Sequence, residues 1–154
     1  MKILYAAIDQ VVPGTRGGSV HVTAVAEGLA ALGHEVHVLA TPGDGPFPAG
    51  PVRWIPMSPP FGANQLRWAR SGAVKQIAQR LRPHVVMERY YNFGGEGVLS
   101  AAARGIPSLL EVNSPVVDHP GSLKGVLDGL TLVRPLKRYR EALCRQAAAL
   151  LAPI

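Results

Sequence analysis

A glycine-rich loop near the start of the chain carries residues that could bind an anion. It reads Pro13-Gly14-Thr15-Arg16-Gly17-Gly18-Ser19, and it follows an apolar stretch, 2–8, that is typical of a buried strand. A helical pattern begins directly after it. Free N–H groups at the start of a helix bind phosphate, and glycine lets a ligand approach the backbone. We therefore predict an anion site within residues 1–21, although a Gly-Gly pair could equally serve helix packing alone.

Two common nucleotide-binding motifs do not fit this loop. Its glycines are not followed by the Lys-Ser/Thr pair of a nucleoside-triphosphate P-loop. The spacing of Gly14, Gly17 and Gly18 departs from Gly-x-Gly-x-x-Gly, and Thr41 stands where an acidic ribose ligand would be expected. These differences argue against nicotinamide or flavin cofactors and against an epimerase-type enzyme acting on nucleotide sugars.

His21 follows the loop, in the first turn of the predicted helix, where its side chain could face the ligand crevice. A histidine in such a position is also commonly a surface or half-buried polar residue. The histidines have no metal-ligand spacing with Cys144 or with a pair of carboxylates. We therefore predict no bound metal.

A second cluster, Glu88 to Glu96, follows a strand pattern at 85–88. The carboxyl ends of parallel strands form the ligand-binding edge of such sheets. Arg89 could hold a phosphate or carboxylate there, and Tyr90 and Tyr91 could stack on a sugar ring. The alternative is that these aromatic residues only cover the core.

A third cluster begins with Glu111-Val112-Asn113-Ser114-Pro115 at the end of the next predicted strand and continues to Asp118 and His119. An Asp or His at this edge could act as a general base toward a hydroxyl. The alternative is a capped loop stiffened by proline. The Gly-x-Ser-x-Gly pattern of a serine nucleophile elbow is missing from the sequence.

These clusters require a scaffold in which strands alternate with helices. Ser19 is the expected N-cap of the first helix and Gly33 its C′ residue. Alternation of this kind predicts an α/β fold, a doubly wound parallel sheet flanked by helices. The last strand is expected to be buried, and a chain ending just after it is expected to have been cut at a domain boundary. Strands are predicted at 2–8, 35–40, 52–56, 85–88, 106–112 and 148–151, and helices at 19–32, 64–81, 95–104 and 122–146.

Composition narrows the class of protein. The chain has 154 residues, of which 47% are hydrophobic and 17% charged, as in an ordinary globular domain. A single cysteine excludes an internal disulfide and favours the reducing cytoplasm. No apolar run reaches the length of about 18 residues that spans a bilayer.

The net charge of +6 indicates anionic partners. Nucleic acid is disfavoured because aromatic residues make up only 6% of the chain and are not interleaved with a basic run. The predicted last helix is basic and amphipathic enough to rest on an anionic membrane, although a solvated helix face is the commoner explanation. Its basic residues are Arg134, Lys137, Arg138, Arg140 and Arg145.

Several segments together resemble the N-terminal domain of group 1 (family 4) glycosyltransferases, which have the GT-B fold. The opening resembles that family in its first strand, in Gly17-Gly18-Ser19-Val20-His21-Val22 and in the run from Leu29 to Val38. Arg82-Pro83-His84-Val85-Val86, Gly105-Ile106-Pro107 and the Glu111-to-Pro115 segment continue the resemblance, which spans essentially the whole chain.

The resemblance implies a role for each cluster. Gly17, Gly18 and Ser19 would approach the diphosphate of a nucleotide-sugar donor, whose remaining contacts belong to a C-terminal domain that is not in this sequence. The N-terminal domain, 1–154, would bind a small-molecule or glycan acceptor, and Asp118 or His119 would be the acid–base residue. The family retains anomeric configuration and needs no cofactor or divalent metal. The acceptor-binding residues would be His21, Arg89, Tyr90, Tyr91, Asn92 and Asn113.

The sequence thus predicts one half of a cytoplasmic glycosyltransferase, peripheral at the inner face of the membrane or free of it. As an isolated fragment it is expected to fold without catalysing transfer. The alternative is a non-catalytic α/β module that binds a phosphorylated ligand or an anionic membrane surface.

Overall fold

The fold is taken from a computed structural model, which describes residues 1–90, 94–112 and 133–152. Six parallel strands in this part of the chain form one sheet in the order β3-β2-β1-β4-β5-β6. The strands are β1 (Lys2–Val12), β2 (Glu35–Pro42), β3 (Arg53–Pro56), β4 (Val85–Arg89), β5 (Ser108–Glu111) and β6 (Ala149–Leu151). The helices are α1 (Gly17–Ala31), α2 (Ser71–Leu81), α3 (Glu96–Ala102) and α4 (Val133–Gln146), with 3-10 turns at Pro60–Gly62 and Asn64–Arg70.

The order of the strands places the ligand crevice. The chain runs outward from β1 through β2 to β3, and then returns to the other side of β1 to form β4, β5 and β6. The order therefore reverses between β1 and β4, and ligands of doubly wound sheets bind beyond the carboxyl ends of the strands at such a reversal. The glycine-rich loop follows β1 and the Glu88–Glu96 cluster follows β4, so both lie at this point. The predicted doubly wound parallel sheet is confirmed.

The strand β1 supplies side chains to hydrophobic clusters on both faces of the sheet, as the two-residue period of a strand requires. Tyr5 and its neighbours two residues away pack with Val22 and Ala26 of α1. Leu4, Ala6 and Ile8 alternate with them and pack with α2 and α3 on the opposite face. The burial of both faces explains why residues 3–8 are a continuous apolar run.

The first βαβ unit differs from the prediction at both ends of its loop. The strand β1 continues to Val12, with a register shift against β2 between Ala7 and Val11. Helix α1 begins at Gly17 with Arg16 as its N-cap, so the prediction of Ser19 as N-cap was wrong. Ser19 is buried inside the first turn instead. Gly33 does follow the helix with a φ of +83°, as predicted for a C′ glycine.

The predicted helix 64–81 is divided in two. Asn64–Arg70 forms a 3-10 turn and only Ser71–Leu81 is α-helical. Arg67 lies inside the 3-10 turn, and its side chain is fully buried among carboxylates and not on a solvated helix face. The tertiary contacts of this segment are therefore not those of an amphipathic surface helix.

The remaining predicted elements occur with bounds that differ by a few residues: β2 and β4 are longer than predicted, and β3, β5, β6 and α3 are shorter. The last strand, β6, is confirmed as a strand, but its expected burial was wrong. β6 is the outermost strand of the described sheet, and Leu150 and Leu151 are exposed. Within the predicted helix 122–146, the described part is α4, whose first turn contains Pro135. Residues 122–132 lie outside the described residues.

Candidate functional site

The first turn of α1 offers unsatisfied backbone donors at the carboxyl edge of the sheet. The first helical hydrogen bond runs from the Val20 N–H to the Arg16 carbonyl at 3.1 Å. No side chain caps this end in the described part of the chain, and the first turn contains no acidic residue. The N–H groups of residues 17–19 are therefore available, and the helix dipole adds a partial positive charge. An anion is the ligand that this arrangement favours.

Gly17 and Gly18 differ in the space above their Cα atoms. A Cβ added to Gly17 would have no heavy atom of the described residues within 4 Å. A Cβ added to Gly18 would lie 2.1 Å from Oε1 of Gln10 and 2.8 Å from its Cδ. Gly17 therefore leaves room for a ligand beside the helix start, whereas Gly18 leaves room for a side chain of the protein itself.

Ser19 contributes differently from its neighbours. Its side chain is buried against Gly14, where an added Cβ would come within 2.8 Å of the Ser19 Oγ and 2.5 Å of the Val11 carbonyl. Its own carbonyl accepts a hydrogen bond from the Thr23 hydroxyl at 3.0 Å. The hydroxyl of Ser19 thus helps to pack the loop, and its N–H group is what it can offer to a ligand.

The start of α3 is occupied by a carboxylate of the protein. Glu88, at the end of β4, accepts hydrogen bonds from the N–H groups of Gly97 at 2.9 Å and Val98 at 2.8 Å, and from that of Gly95. Its side chain is fully buried. Of the two helix starts near the crevice, the one of α3 is already filled by the side chain of Glu88, and the one of α1 is open.

Arg67 joins β1, β4 and α3 through a buried ion cluster. Its Nε lies 2.9 Å and 3.1 Å from the two carboxylate oxygens of Glu96, and its Nη1 lies 2.9 Å from Oδ1 of Asp9. Its Nη2 lies 3.6 Å from the Glu88 carboxylate and donates to the Arg89 carbonyl at 3.2 Å. The Arg67–Asp9 contact is an ion pair without hydrogen-bond geometry. The cluster thus links the ends of β1 and β4 and the start of α3 beneath the ligand crevice.

Burial and charge change the protonation of this cluster. Burial, followed by the nearby carboxylate of Glu96, raises the pKa of Glu88 to about 8, although Arg67 and the backbone N–H groups oppose the rise. Burial alone would lower the pKa of Arg67, but Glu96, Asp9 and Glu88 more than offset it and raise that pKa. Arg67 therefore stays charged, and Glu88 titrates far from the usual range of a carboxylic acid.

The structure gives Arg89 and Tyr90 internal partners. Nη1 of Arg89 lies 2.9 Å from Oδ2 of Asp9, and its buried Nε has no hydrogen-bond partner among the described residues. Tyr90 is 9% exposed and packs with Val98, Leu110 and other apolar residues. Packing of its ring in this cluster is consistent with the alternative to sugar stacking, and the role of Tyr90 toward an acceptor stays a prediction.

His21 is connected to the end of β5. Its Nε2 contacts Oε1 of Glu111, and the hydroxyl of Tyr5 donates to Oε2 of the same carboxylate at 2.5 Å. Tyr5 and Glu111 are buried, whereas the His21 side chain is 43% exposed. The predicted residue His21 therefore lies near the start of α1, and its side chain is held by Glu111, which in turn is held by Tyr5.

Five predicted site residues lie outside the described residues, so their roles remain predictions. They are Tyr91, Asn92, Asn113, Asp118 and His119. The side chains of the basic residues from Arg134 to Arg140 also lie outside the described part of the chain, whereas Arg145 is described and exposed.

Comparison with known proteins identifies the family. The sequence model of Glycosyltransferase Family 4 matches residues 15–153, nearly the whole chain. The chain belongs to glycosyltransferase family 4. A search of curated proteins gives no match.

Solved structures of other proteins have the same fold as this family 4 chain. It is similar to MurG from Acinetobacter baumannii, with a TM-score of 0.59, 18% identity and coverage of 99% of this chain and 41% of that one. It is also similar to UDP-GlcNAc 2-epimerase from Methanocaldococcus jannaschii, with a TM-score of 0.58, 14% identity and coverage of 100% and 40%. The chain thus spans less than half the length of either protein, and at these identities the likeness shows a shared Rossmann-like, GT-B-type fold.

Two other features, a membrane-spanning helix and a group of metal ligands, are not found in the described residues. No helix in residues 1–90, 94–112 or 133–152 has the length and apolar character that crossing a membrane requires. Within the same residues, no three His, Cys, Asp or Glu side chains are grouped so as to hold a metal ion.

Several residues that the structure brings together at the candidate site are not indicated by the sequence analysis. They include Arg67, Asp9 and Gln10. One signal was present: Asp9 and Gln10 directly follow the apolar run of β1, where a parallel strand meets the ligand edge. Glu111 was noted only as the end of a strand, and its contact with His21 spans 90 residues of sequence.

Proposed function

We propose that this chain is the acceptor-binding, N-terminal half of a glycosyltransferase that moves a sugar from a nucleotide-diphosphate donor to a hydroxyl acceptor. Membership of family 4 supports glycosyl transfer in general. The observation that carries the proposal is the open first turn of α1 at the reversal of strand order, beside the exposed Gly17.

The N–H groups of Gly17, Gly18 and Ser19 receive the donor diphosphate in this proposal. Negative charge grows on the leaving diphosphate as the bond to the sugar breaks, and fixed donors stabilise that charge. The start of α3 supports the assignment by contrast, because Glu88 already fills it. Transfer with retention, without a divalent metal, is part of the proposal.

The acceptor lies on the same edge, beside His21 and Arg89. His21 is anchored to β5 and Arg89 to Asp9, so both are held in place before a ligand arrives. Tyr91, Asn92 and Asn113 complete this side, and Asp118 or His119 supplies the acid–base group. A second domain supplies the remaining contacts of the nucleotide sugar, so residues 1–154 alone are inactive. The enzyme works in the cytoplasm, free or in peripheral contact with the membrane.

The experiment compares two glycine variants in the longest natural gene product that contains this sequence. The product is incubated with uridine- and guanosine-diphosphate sugars and an extract of its source cells, filtered to keep small molecules, as the supply of acceptor hydroxyls; release of the nucleoside diphosphate is measured by mass spectrometry, and donor with water alone gives the background hydrolysis. Gly17→Leu should abolish release because it fills the open space at the anion site. Gly28→Leu is the matched control, since Gly28 is in the same helix and also has no atom within 4 Å of an added Cβ.

Release by wild type and by Gly28→Leu, but not by Gly17→Leu, supports the proposal. No release with any donor, together with binding of a phosphorylated ligand or of anionic vesicles, would favour the non-catalytic module. Release by residues 1–154 alone would contradict the need for a second domain.

A further inference from the structure

Three elements converge on one histidine at the ligand edge. His21 comes from α1, Glu111 from the end of β5 and Tyr5 from the middle of β1. One oxygen of the Glu111 carboxylate contacts Nε2 of His21, and the other accepts the Tyr5 hydroxyl at 2.5 Å. We propose that Glu111 and Tyr5 are positioning residues that hold the ring of His21 through its Nε2, so that its Nδ1 accepts a hydrogen bond from a hydroxyl of the sugar acceptor.

The hydrogen-bonding roles follow from the chemistry of the groups. An ionised carboxylate only accepts hydrogen bonds, so the imidazole nitrogen that faces it must carry a proton. A neutral imidazole protonated at Nε2 has its lone pair at Nδ1, on the other side of the ring. Tyr5 remains a donor to Glu111, because burial and the carboxylate itself raise the pKa of the phenol. The pair therefore fixes which nitrogen of His21 is free to accept.

Solvent exposure increases from Tyr5 through Glu111 to His21. Tyr5 is fully buried and Glu111 is 6% exposed, whereas the side chain of His21 is 43% exposed. A buried carboxylate that orients an exposed imidazole is an arrangement for presenting the imidazole to a ligand. If the contact served packing alone, the ring would not need to be held at the surface by two buried residues.

The position of His21 relative to Gly17 indicates what the ligand is. The two residues are four apart in α1 and therefore lie on the same face of the helix, one turn from each other. The N–H groups beside Gly17 donate and suit an anion. Nδ1 of His21 accepts and suits a hydroxyl, not a phosphate. This inference rests on the proposed function for the statement that the hydroxyl belongs to a sugar acceptor.

The chain contains a natural control for this pair. Nε2 of His37 lies 2.9 Å from Oε1 of Glu35, so it is also a His–Glu contact. Both residues are on β2, two residues apart, at the strand's amino-terminal end, and Glu35 is exposed. This second pair is at the opposite edge of the sheet from Gly17. A ligand bound beside the start of α1 should therefore leave His37 unaffected.

The first test is the tautomer of His21, measured from the imidazole nitrogen shifts of ¹⁵N-labelled protein at neutral pH. Wild type should show a protonated Nε2 and an unprotonated Nδ1 at His21. Glu111→Gln should give mixed tautomers, because an amide can donate as well as accept, while Glu35→Gln should leave His21 unchanged. Protonated Nδ1 in the wild-type protein would overturn the proposal even if the variant failed to fold.

The second test adds a hydroxyl ligand. The methyl glycosides of glucose, galactose and mannose are titrated into the wild-type protein, and the Nδ1 signals of His21 and His37 are followed. At least one glycoside should move the signal of His21 and not that of His37, and Glu111→Gln should weaken its binding about tenfold. No movement at His21 with any of the three, or equal movement of both histidines, would overturn the proposal.

The two tests separate this inference from the proposed function. Neither test requires sugar transfer. A protein that passes both but releases no nucleoside diphosphate would support the presentation of His21 and contradict the transferase activity. A protein that releases nucleoside diphosphate but has the wrong tautomer would contradict only the inference about Glu111 and Tyr5.

Discussion

The side chain of Gln10 occupies the space in which a Cβ of Gly18 would lie. An added Cβ would be 2.1 Å from the Gln10 Oε1, and Nε2 of the same amide donates to Asp9. Gly18 therefore leaves room for a side chain of the protein, and Gly17 is the glycine with open space beside it. The packing explanation thus applies to Gly18, and the open space at Gly17 is what the ligand explanation requires.

The two glycines should respond differently to alanine. Gly17→Ala should leave the free energy of unfolding unchanged or raise it by up to about 1 kcal/mol, because alanine favours a helix and meets no atom. Gly18→Ala should lose this gain and cost about 1 kcal/mol, because Gln10 must move away from Asp9. Chemical denaturation of both variants measures the difference.

A double variant identifies the cause. In a Gln10→Ala background, Gly18→Ala should become as favourable as Gly17→Ala. An equal cost of Gly18→Ala with and without Gln10 would show that this contact does not explain the glycine.

Removal of the buried cation should be strongly destabilising. Arg67→Met leaves the carboxylates of Asp9 and Glu96 without their central partner in the interior, and such uncompensated charge costs about 3–5 kcal/mol. Arg80→Met is the control, since Arg80 is exposed in the last turn of α2, and it should change stability by less than about 0.5 kcal/mol. Similar unfolding midpoints in urea for both variants would refute the structural role of Arg67.

Stability should fall as the pH rises from about 4.5 to about 8. The folded protein holds the proton of Glu88 more tightly than the unfolded chain, where the carboxyl has its ordinary pKa of 4.5. This contribution to stability is complete below the unfolded pKa and is lost as the pH passes the folded value of about 8. Glu88→Gln should flatten this part of the profile, which thermal unfolding at a series of pH values measures.

The exposed Glu27 provides the control for this pH dependence. Glu27→Gln should keep the wild-type slope between pH 4.5 and pH 8. An unchanged slope in Glu88→Gln would assign the effect to other groups.

The stability of the protein should depend on glycine at position 97, where Glu88 caps the start of α3. An added Cβ would lie 3.0 Å from the Glu88 Oε2 and 3.1 Å from the Ala6 Cβ, so Gly97→Ala presses Glu88 against the central strand. A loss of about 1–3 kcal/mol is expected from this overpacking. Gly72→Ala, in α2 with no neighbouring atom, should instead be neutral or stabilising. Equal effects in denaturant would contradict the close fit at Gly97.

The arrangement of the sheet could be predicted because it depends on local periodicity. The βαβ pattern of the first forty residues and the glycine at position 33 were sufficient to place α1 between parallel strands. The bounds were less accurate at Ser19, because the helix begins earlier at an exposed glycine and the serine is needed inside the turn. The exposure of β6 could not be predicted, since an apolar run of this length does not distinguish an edge strand from a central one.

The contacts within the site could not be predicted, because they join residues far apart in sequence. Arg67 meets Asp9 and Glu96, and His21 meets Glu111, through side chains that carry no periodic signal. Placing His21 near the crevice required only its distance from the glycines. Its anchoring by Tyr5 and Glu111 required the register of β1, β4 and β5.

The most direct test of the central claim compares the amide groups at the two helix starts. Inorganic pyrophosphate is titrated into ¹⁵N-labelled protein, and the backbone N–H signals of Gly17, Gly18 and Ser19 are compared with those of Gly97 and Val98. Saturable shifts are expected at residues 17–19 and none at Gly97 and Val98, whose N–H groups donate to Glu88. Shifts of equal size at both helices, or none at residues 17–19, would contradict a diphosphate site at the start of α1.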